Sequence, residues 1–321
     1  MNLPLFESTL VIWNPSAGTA ESYGWLRAEL QRRPKTILRA TTSHREAREL
    51  VHESVERGTD LVIAAGGDGT LNAVANGLAP TTTAAMAILP VGTGNDFSRT
   101  LAIPADPAAA LALLDQPRVR KVDLVQAESA TGCRYILNMA NGGNSQRVAE
   151  HLDEEMKQRW GPFCYLRGVI EVLGHLEKYQ ARIRFDDGPV EAFDVFNIFL
   201  GNGQTCGGGL KVAPLADVED GLMDVMIVLD GGPIDVATLA ARFLVHDFLD
   251  SEMVVHRRAR KVWIDSEPKM VFVTDGDADT AEPATFTMVP GALRVVVGSD
   301  YTVPEPVENG VGQEQALGMV E

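Results

Sequence analysis

The sequence predicts two lobes, an N-terminal α/β domain built on a mainly parallel sheet and a mainly β sandwich domain after it. Three observations carry this. The 321 residues exceed one ordinary core and suit two domains. As far as residue 124, short apolar runs alternate with segments of helical period, the texture of βα units. From Val125 onward, β-branched and alternating runs dominate, the texture of an antiparallel domain. The expected division is 1–124 for the first lobe, with part of 293–303 a candidate to complete it, 125–292 for the second, and a tail over 304–321.

In chain order, Leu10–Trp13 reads as the first strand, and Trp25, Leu26 and Leu30 suit a helix. Ile37-Leu38 begins a strand that ends near Thr41. Ser43 with Glu46 three residues on forms a capping-box pattern, and Ala47, Leu50, Val51 and Val55 line one helix face up to Gly58. Leu61–Ala65 is a continuous buried strand, followed at helical spacing by Leu71, Val74, Ala75 and Leu78. Met86–Leu89 is the next strand, and Asp106-Pro107 opens an alanine-rich helix. The β region offers Tyr135–Met139, Ala181–Phe185, Val195–Leu200, Val225–Leu229, Val262–Ile264, Met270–Val273 and Leu293–Val297. One helix is expected within it, where Leu166, Val169, Ile170, Leu173 and Leu176 share a face.

The chain is 45% hydrophobic and 22% charged, so it can bury a sizeable core. A net charge of −16 sets its field against nucleic acid, which is excluded as a partner. The one dense basic run, Arg257–Lys261, reads as a solvated strand edge. Cys133, Cys164 and Cys206 form no disulfide framework or metal spacing, and the six histidines give no ligand spacing. The N-terminus lacks the basic and apolar regions of a signal peptide, and no stretch reaches the ~20 apolar residues of a spanning helix. A cytoplasmic protein is expected. The polar, unpatterned tail from Pro304 reads as disordered.

The chemistry concentrates in two glycine-rich turns. Gly66-Gly67-Asp68-Gly69-Thr70 stands where a buried strand hands over to a helix: glycines admit a phosphate to the backbone, and the helix N-terminus presents free N–H groups. Asp68 cannot attract phosphate itself, but it suits Mg²⁺ held between carboxylate and nucleotide. A bare turn with a capping aspartate is the other reading of this segment. Gly92-Thr93-Gly94-Asn95-Asp96-Phe97 follows the next strand and repeats the pattern at the edge where α/β sheets collect ligands. Two such clusters on successive strands should share one crevice.

These two segments, in order, resemble the diacylglycerol-kinase catalytic fold, in particular the bacterial YegS/DgkB-like lipid kinases. Asn14-Pro15 with Gly18, Lys121–Leu124, Leu137–Gly143, Gly161–Tyr165, Gly201–Gly203, Gly207–Gly209 and Asp220–Leu222 extend the resemblance over most of the chain. It implies a NAD kinase/phosphofructokinase-like first lobe that holds ATP, a sandwich that holds the lipid, and catalysis between them. Carried over by position, Thr41, Gly66, Gly67, Asp68, Gly69, Thr70, Leu71, Asn72, Gly92, Thr93 and Asn95 would bind the nucleotide, with Mg²⁺ near Asp68 and Asp96. Asp220, with the carbonyls of Asp217 and Leu222, would hold a second Mg²⁺. A lipid alcohol of the diacylglycerol type would be the acceptor, met transiently and peripherally at a membrane surface. A homodimer is an assembly this reading allows.

The resemblance places the general base at the third residue of an Asp-Gly-Glu motif. This chain has Asp275-Gly276-Asp277, so Asp277 stands there with one methylene less reach. As a turn between strands the segment would need no catalysis. Ala73 replaces a usual glutamate, and Thr19 a lysine found in some members. Two alternatives stay open: a NAD kinase-like small-molecule kinase, and a family member that binds nucleotide or lipid without turnover.

Overall fold

The structure, a computed structural model, describes residues 6–18, 20–79, 83–130, 132–145, 176–275 and 277–303. The helix expected from Leu166 lies outside the described residues up to His175, as do Gly161–Tyr165, Thr19 and the tail over 304–321.

The first lobe follows its pattern closely. Strands β1 (Thr9–Trp13), β2 (Thr36–Ala40), β3 (Leu61–Gly66) and β4 (Ala85–Pro90) pair in parallel in the order β2-β1-β3-β4. Every residue of β3 and β4 is buried, as strands covered on both faces must be. Helices α1 (Gly24–Arg32), α2 (His44–Glu56) and α3 (Asp68–Leu78) connect them, followed by α4 (Asp96–Thr100) and α5 (Pro107–Ala112). Asp106 caps α5 by accepting from the N–H groups of Ala108 and Ala109. The capping box of α2 forms only in part. Ser43 Oγ accepts from Glu46 N, but the Glu46 carboxylate takes the Thr41 hydroxyl at 2.7 Å.

Two long strands run from one lobe into the other. Strand β5 (Arg118–Ser129) pairs antiparallel along nearly all of β17 (Ala284–Val297), and the end of β17 also pairs in parallel with β4. The register of β17 slips between Val289 and Leu293, around Pro290-Gly291. There the Asp123 carboxylate accepts the N–H groups of Gly291 and Gly221, each at 2.7 Å, so the irregularity leaves these amides bonded.

The second lobe is a β-sandwich. It comprises β6 (Gly132–Ile136), β7 (Met139–Gly143), β8 (Tyr179–Phe185), β9 (Val190–Gly201), β12 (Met223–Leu229), β13 (Val254–Ala259), β14 (Lys261–Glu267), β15 (Val271–Thr274) and β16 (Asp277–Ala281), with a short hairpin of β10 (Thr205–Cys206) and β11 (Leu210–Lys211). Ile198, Leu200, Val225, Ile227, Ile264, Phe272 and Phe286 fill its core, the last two edge to face with ring centroids 5.1 Å apart. Helix α6 (Pro233–Leu244), which the β-rich texture had hidden, packs Leu239 and Phe243 beside Met226 and Phe248 in a second cluster.

One expected strand is corrected. Tyr135–Met139 is not continuous but divides into β6 and β7, because the N–H groups of Leu137, Asn138 and Met139 all turn to a single carboxylate, that of Asp275. The basic run Arg257–Lys261 spans the end of β13, which among the described residues pairs only with β12, and the start of β14. Arg258 there is tied to Asp220 rather than to solvent alone.

Candidate active site

The turns after β1, β3 and β4 converge. A Cβ on Gly92 would overlap the Cα of Gly67, and one on Gly67 would lie 3.3 Å from the Cα of Gly92. A Cβ on Gly18 would come within 2.6 Å of Thr93 Oγ1. The glycine at 92 is thus required by backbone-to-backbone contact and that at 67 is closely packed against it, and the two motifs form one crevice at the carboxyl edge of the sheet. Asn14 at the end of β1 donates from Nδ2 to Thr70 Oγ1 at 3.2 Å, tying a third strand to the cradle. Thr70, Leu71 and Asn72 are buried in the first turn of α3, so Gly67, Asp68 and Gly69 form the accessible rim. Ala73 is buried too, where the resemblance puts a glutamate.

Asp68 reaches across to the second turn, where Oδ1 accepts from Phe97 N at 3.3 Å and a Cβ on Gly94 would lie 2.7 Å from Oδ2. Burial pushes its carboxyl above the ordinary range and the charge of Asp96 adds to this, while the N–H groups of Asp96 and Phe97 and the Arg99 charge oppose. Asp96 has a different position. It is buried, and its two oxygens accept the N–H groups of Gly208 and Gly209, each at 2.8 Å, with Arg99 also paired at 3.2 Å. Gly208 and Gly209 have φ of +86° and +113°, values that favour glycine. Asp96 therefore clasps the β10–β11 hairpin of the second lobe to the first. Asn95 sits beside it at φ +53° and donates from Nδ2 to Gly92 O.

Facing the cradle is Asp275, which the sequence marks as the first residue of the Asp-Gly-Asp segment but to which it assigns no role. Its carboxylate accepts from Leu137 N at 2.6 Å and from Asn138 N and Met139 N, both at 3.0 Å. Enclosure by protein pushes it up to about 6, with the charge of Asp68 adding and the three amides opposing. Its φ of +47° is one that aspartate tolerates better than most residues. Asp277 begins β16 two residues later, its Cα paired with Thr274. Thr274 in turn accepts from Arg134 Nη1 at 3.0 Å.

The raised Asp275 carboxyl gives a pH prediction. A group more easily protonated when folded lends stability that is complete below its ordinary value of 3.8 and lost as the pH climbs through about 6. Asp275→Asn should flatten this part of the stability curve in urea titrations taken between those limits. Parallel curves for both proteins would show that Asp275 does not titrate there.

In the second lobe, Asp217 Oδ1 accepts from Glu219 N at 2.9 Å and Asp220 Oδ1 from Leu222 N at 2.8 Å, while Asp220 is ion-paired to Arg258. Among the described residues no group of three or more His, Cys, Asp or Glu is placed to hold a metal ion. The arrangement around Asp220 therefore gives no support to the Mg²⁺ expected there, since an arginine already neutralises that carboxylate. At the cradle the chemistry differs: Asp68 is a hard oxygen donor beside the phosphate-type turn, and it fits such an ion. Among the described residues no helix is long and apolar enough to cross a membrane.

A parallel-sheet lobe with a glycine cradle at its carboxyl edge, faced by a β lobe carrying an acidic turn, is the architecture of the diacylglycerol kinase and NAD kinase folds. The diacylglycerol kinase catalytic domain family matches residues 8–127, and the YegS C-terminal NAD kinase beta sandwich-like domain matches 139–297. A probable lipid kinase YegS-like protein of Pseudomonas aeruginosa is 36% identical over 290 residues, 89% of this chain and 92% of its own length. One from Stenotrophomonas maltophilia is 32% identical over 267 residues, 80% of this chain and 85% of its own. A putative diacylglycerol kinase from Bacillus anthracis superposes with a TM-score of 0.79 at 27% identity, covering 93% of this chain and 97% of its own. An NAD kinase from Archaeoglobus fulgidus, in complex with ATP, shares the fold alone, at a TM-score of 0.51 and 12% identity over 90% of this chain and 92% of its own. The chain belongs to the YegS-like lipid kinase family.

Proposed function

We propose that this protein transfers the γ-phosphoryl group of ATP to the hydroxyl of a lipid alcohol of the diacylglycerol type. The observation that carries the reading is the backbone contact of the Gly67 and Gly92 turns, which makes one phosphate cradle with Asp68 at its rim. In this reading the amides at the start of α3 receive the phosphate chain, and Gly66 to Asn72 with Gly92, Thr93 and Asn95 shape its bed. Asp68 would hold Mg²⁺, which when bound neutralises phosphate charge. Asp96 keeps the second lobe against the cradle. Asp275 fixes the turn that presents Asp277, and Asp277 takes the proton of the attacking hydroxyl. Phosphoryl transfer is mostly a matter of positioning and charge, so holding the two lobes in register is itself a catalytic contribution.

The lipid is met at a membrane surface and the protein leaves it after turnover, as a charge of −16 favours against anionic bilayers. The test is ATP consumption by the purified chain over mixed micelles of diacylglycerol, phosphatidylglycerol or a sphingoid base, with NAD as a soluble acceptor. Consumption dependent on a lipid alcohol is expected. Phosphorylation of NAD instead would move the protein to the small-molecule branch. ATP binding with no acceptor-dependent consumption would make it a binding protein, the reading that the short Asp277 favours.

A further inference from the structure

We infer that Arg99 contacts the transferring phosphoryl group, the free edge of its guanidinium donating to the terminal phosphate oxygens of the nucleotide; this rests on the kinase reading of the cradle. Arg99 lies in the last turn of α4, and among the described residues only Nη1 of its guanidinium is bonded, to Gly94 O and, at 3.2 Å, to Asp96 Oδ1. Nε and Nη2 keep their hydrogens for another acceptor. The side chain is 46% exposed, so that edge is open to a ligand. Asp96 also accepts the N–H groups of Gly208 and Gly209, so its burial does not depend on Arg99 alone.

Gly94 sets the position. Its carbonyl holds Arg99, and the Cβ it lacks would lie 2.7 Å from Asp68 Oδ2, so one glycine separates the carboxylate at the rim from the cation. A Cβ on Gly209 would lie 3.8 Å from Cζ and Nε of Arg99, which puts the guanidinium against the β10–β11 hairpin. Arg99 thus stands where the second lobe meets the cradle. Its charge is felt at Asp68, whose carboxyl it draws downward against burial and Asp96. Segments 66–72 and 92–98 hold two aspartates and no lysine or arginine, so a phosphate chain bound there meets negative side chains before it meets Arg99, the next residue. In the transfer, the terminal phosphorus parts from the bridging oxygen left on ADP and bonds to the acceptor oxygen, whose proton passes to Asp277. Arg99 keeps its own protons throughout, and its fork stabilises the charge spread over the nonbridging oxygens.

The experiment uses the full chain. ATP and ADP are each titrated calorimetrically, with Mg²⁺ present, against the parent, Arg99→Met and Arg99→Lys, and Tm is recorded for each. Arg99→Met weakens ATP binding about tenfold and ADP binding by no more than about twofold, because only ATP carries the group contacted. Arg99→Lys keeps the pair with Asp96 and with it the parent's Tm, but one ammonium cannot hold Gly94 and Asp96 and also fork onto a phosphate, so the preference for ATP is lost there too. Where the parent turns over a lipid alcohol, both variants lose on the order of 10²-fold in kcat. A clasp to Asp96 alone predicts equal weakening of both nucleotides, and equal weakening in Arg99→Met overturns the inference. So does either variant with the parent's ratio of ATP to ADP affinity. A lower Tm in Arg99→Met reports the lost ion pair and leaves that ratio to decide. A parent that binds neither nucleotide overturns the cradle reading instead.

Discussion

Asp68→Asn is expected to reduce turnover by at least about 10²-fold while leaving the protein folded, a loss comparable to removal of one preorganised electrostatic group from an active site. Asparagine keeps an oxygen that can accept from Phe97 N, the bond Asp68 makes at 3.3 Å, so the junction of the two turns survives. What is lost is the charge. Burial and the neighbouring Asp96 both push the Asp68 carboxyl upward, so its ionised form is held at a cost to the fold. Neutral asparagine removes that cost, and above the ordinary carboxylate range the variant should be at least as resistant to urea as the parent. A substitution that stabilises the chain and stops the reaction is the signature of a group retained for chemistry. Full activity in Asp68→Asn would remove Asp68 from the reaction; a collapsed thermal transition would make it a capping residue.

The first lobe was legible because each of its elements is specified locally. Strands β3 and β4 are unbroken apolar runs, α2 and α3 carry apolar residues at helical spacing, and glycines mark the turns after β3 and β4. Local pattern and tertiary position agree there, so the amino-acid sequence alone places the two glycine segments in one crevice. The second lobe was less legible where long-range bonds decide the outcome. Strand β17 contains Pro290-Gly291, which reads as a break, yet the Asp123 carboxylate bonded to Gly291 N lets the strand resume its pairing with β5. Only the end of β17, Leu293–Val297, stood out as a strand.

Asp275 is the clearest case of a site residue whose role was hidden from sequence. Its three amide partners lie as far as 138 residues away along the chain, and nothing in an Asp-Gly turn announces them. The available signal was negative: Leu137-Asn138 interrupts a run that would otherwise continue as one strand, and an interrupted strand leaves amides that need an acceptor. Asp96 shows the converse. Sequence marked it as a residue beside the bound phosphates and Mg²⁺, but its contacts could not be read without Gly208 and Gly209, whose amides take both of its oxygens.

Asp277→Asn is expected to reduce turnover by roughly 10²–10⁴-fold with ATP affinity little changed. The substitution preserves size and a hydrogen-bonding oxygen but abolishes proton acceptance, so a structural role would tolerate it. The elements on either side are tied down: Asp275 is pinned by the amides of Leu137, Asn138 and Met139, β15 pairs with β7, and β16 pairs with β15 from Asp277. Side-chain length then matters, and a misplacement of about 1 Å costs on the order of a hundredfold. Asp277→Glu lengthens the side chain by one methylene and restores the residue the resemblance places there, so it should match or exceed the parent in acceptor-dependent ATP consumption. The pair of variants separates the readings. Loss in Asn with retention in Glu identifies a general base; undiminished turnover in Asn moves the base elsewhere. A Glu variant as inert as an inert parent, both still binding ATP, identifies a nucleotide-binding protein whose catalysis fails at more than the length of one side chain.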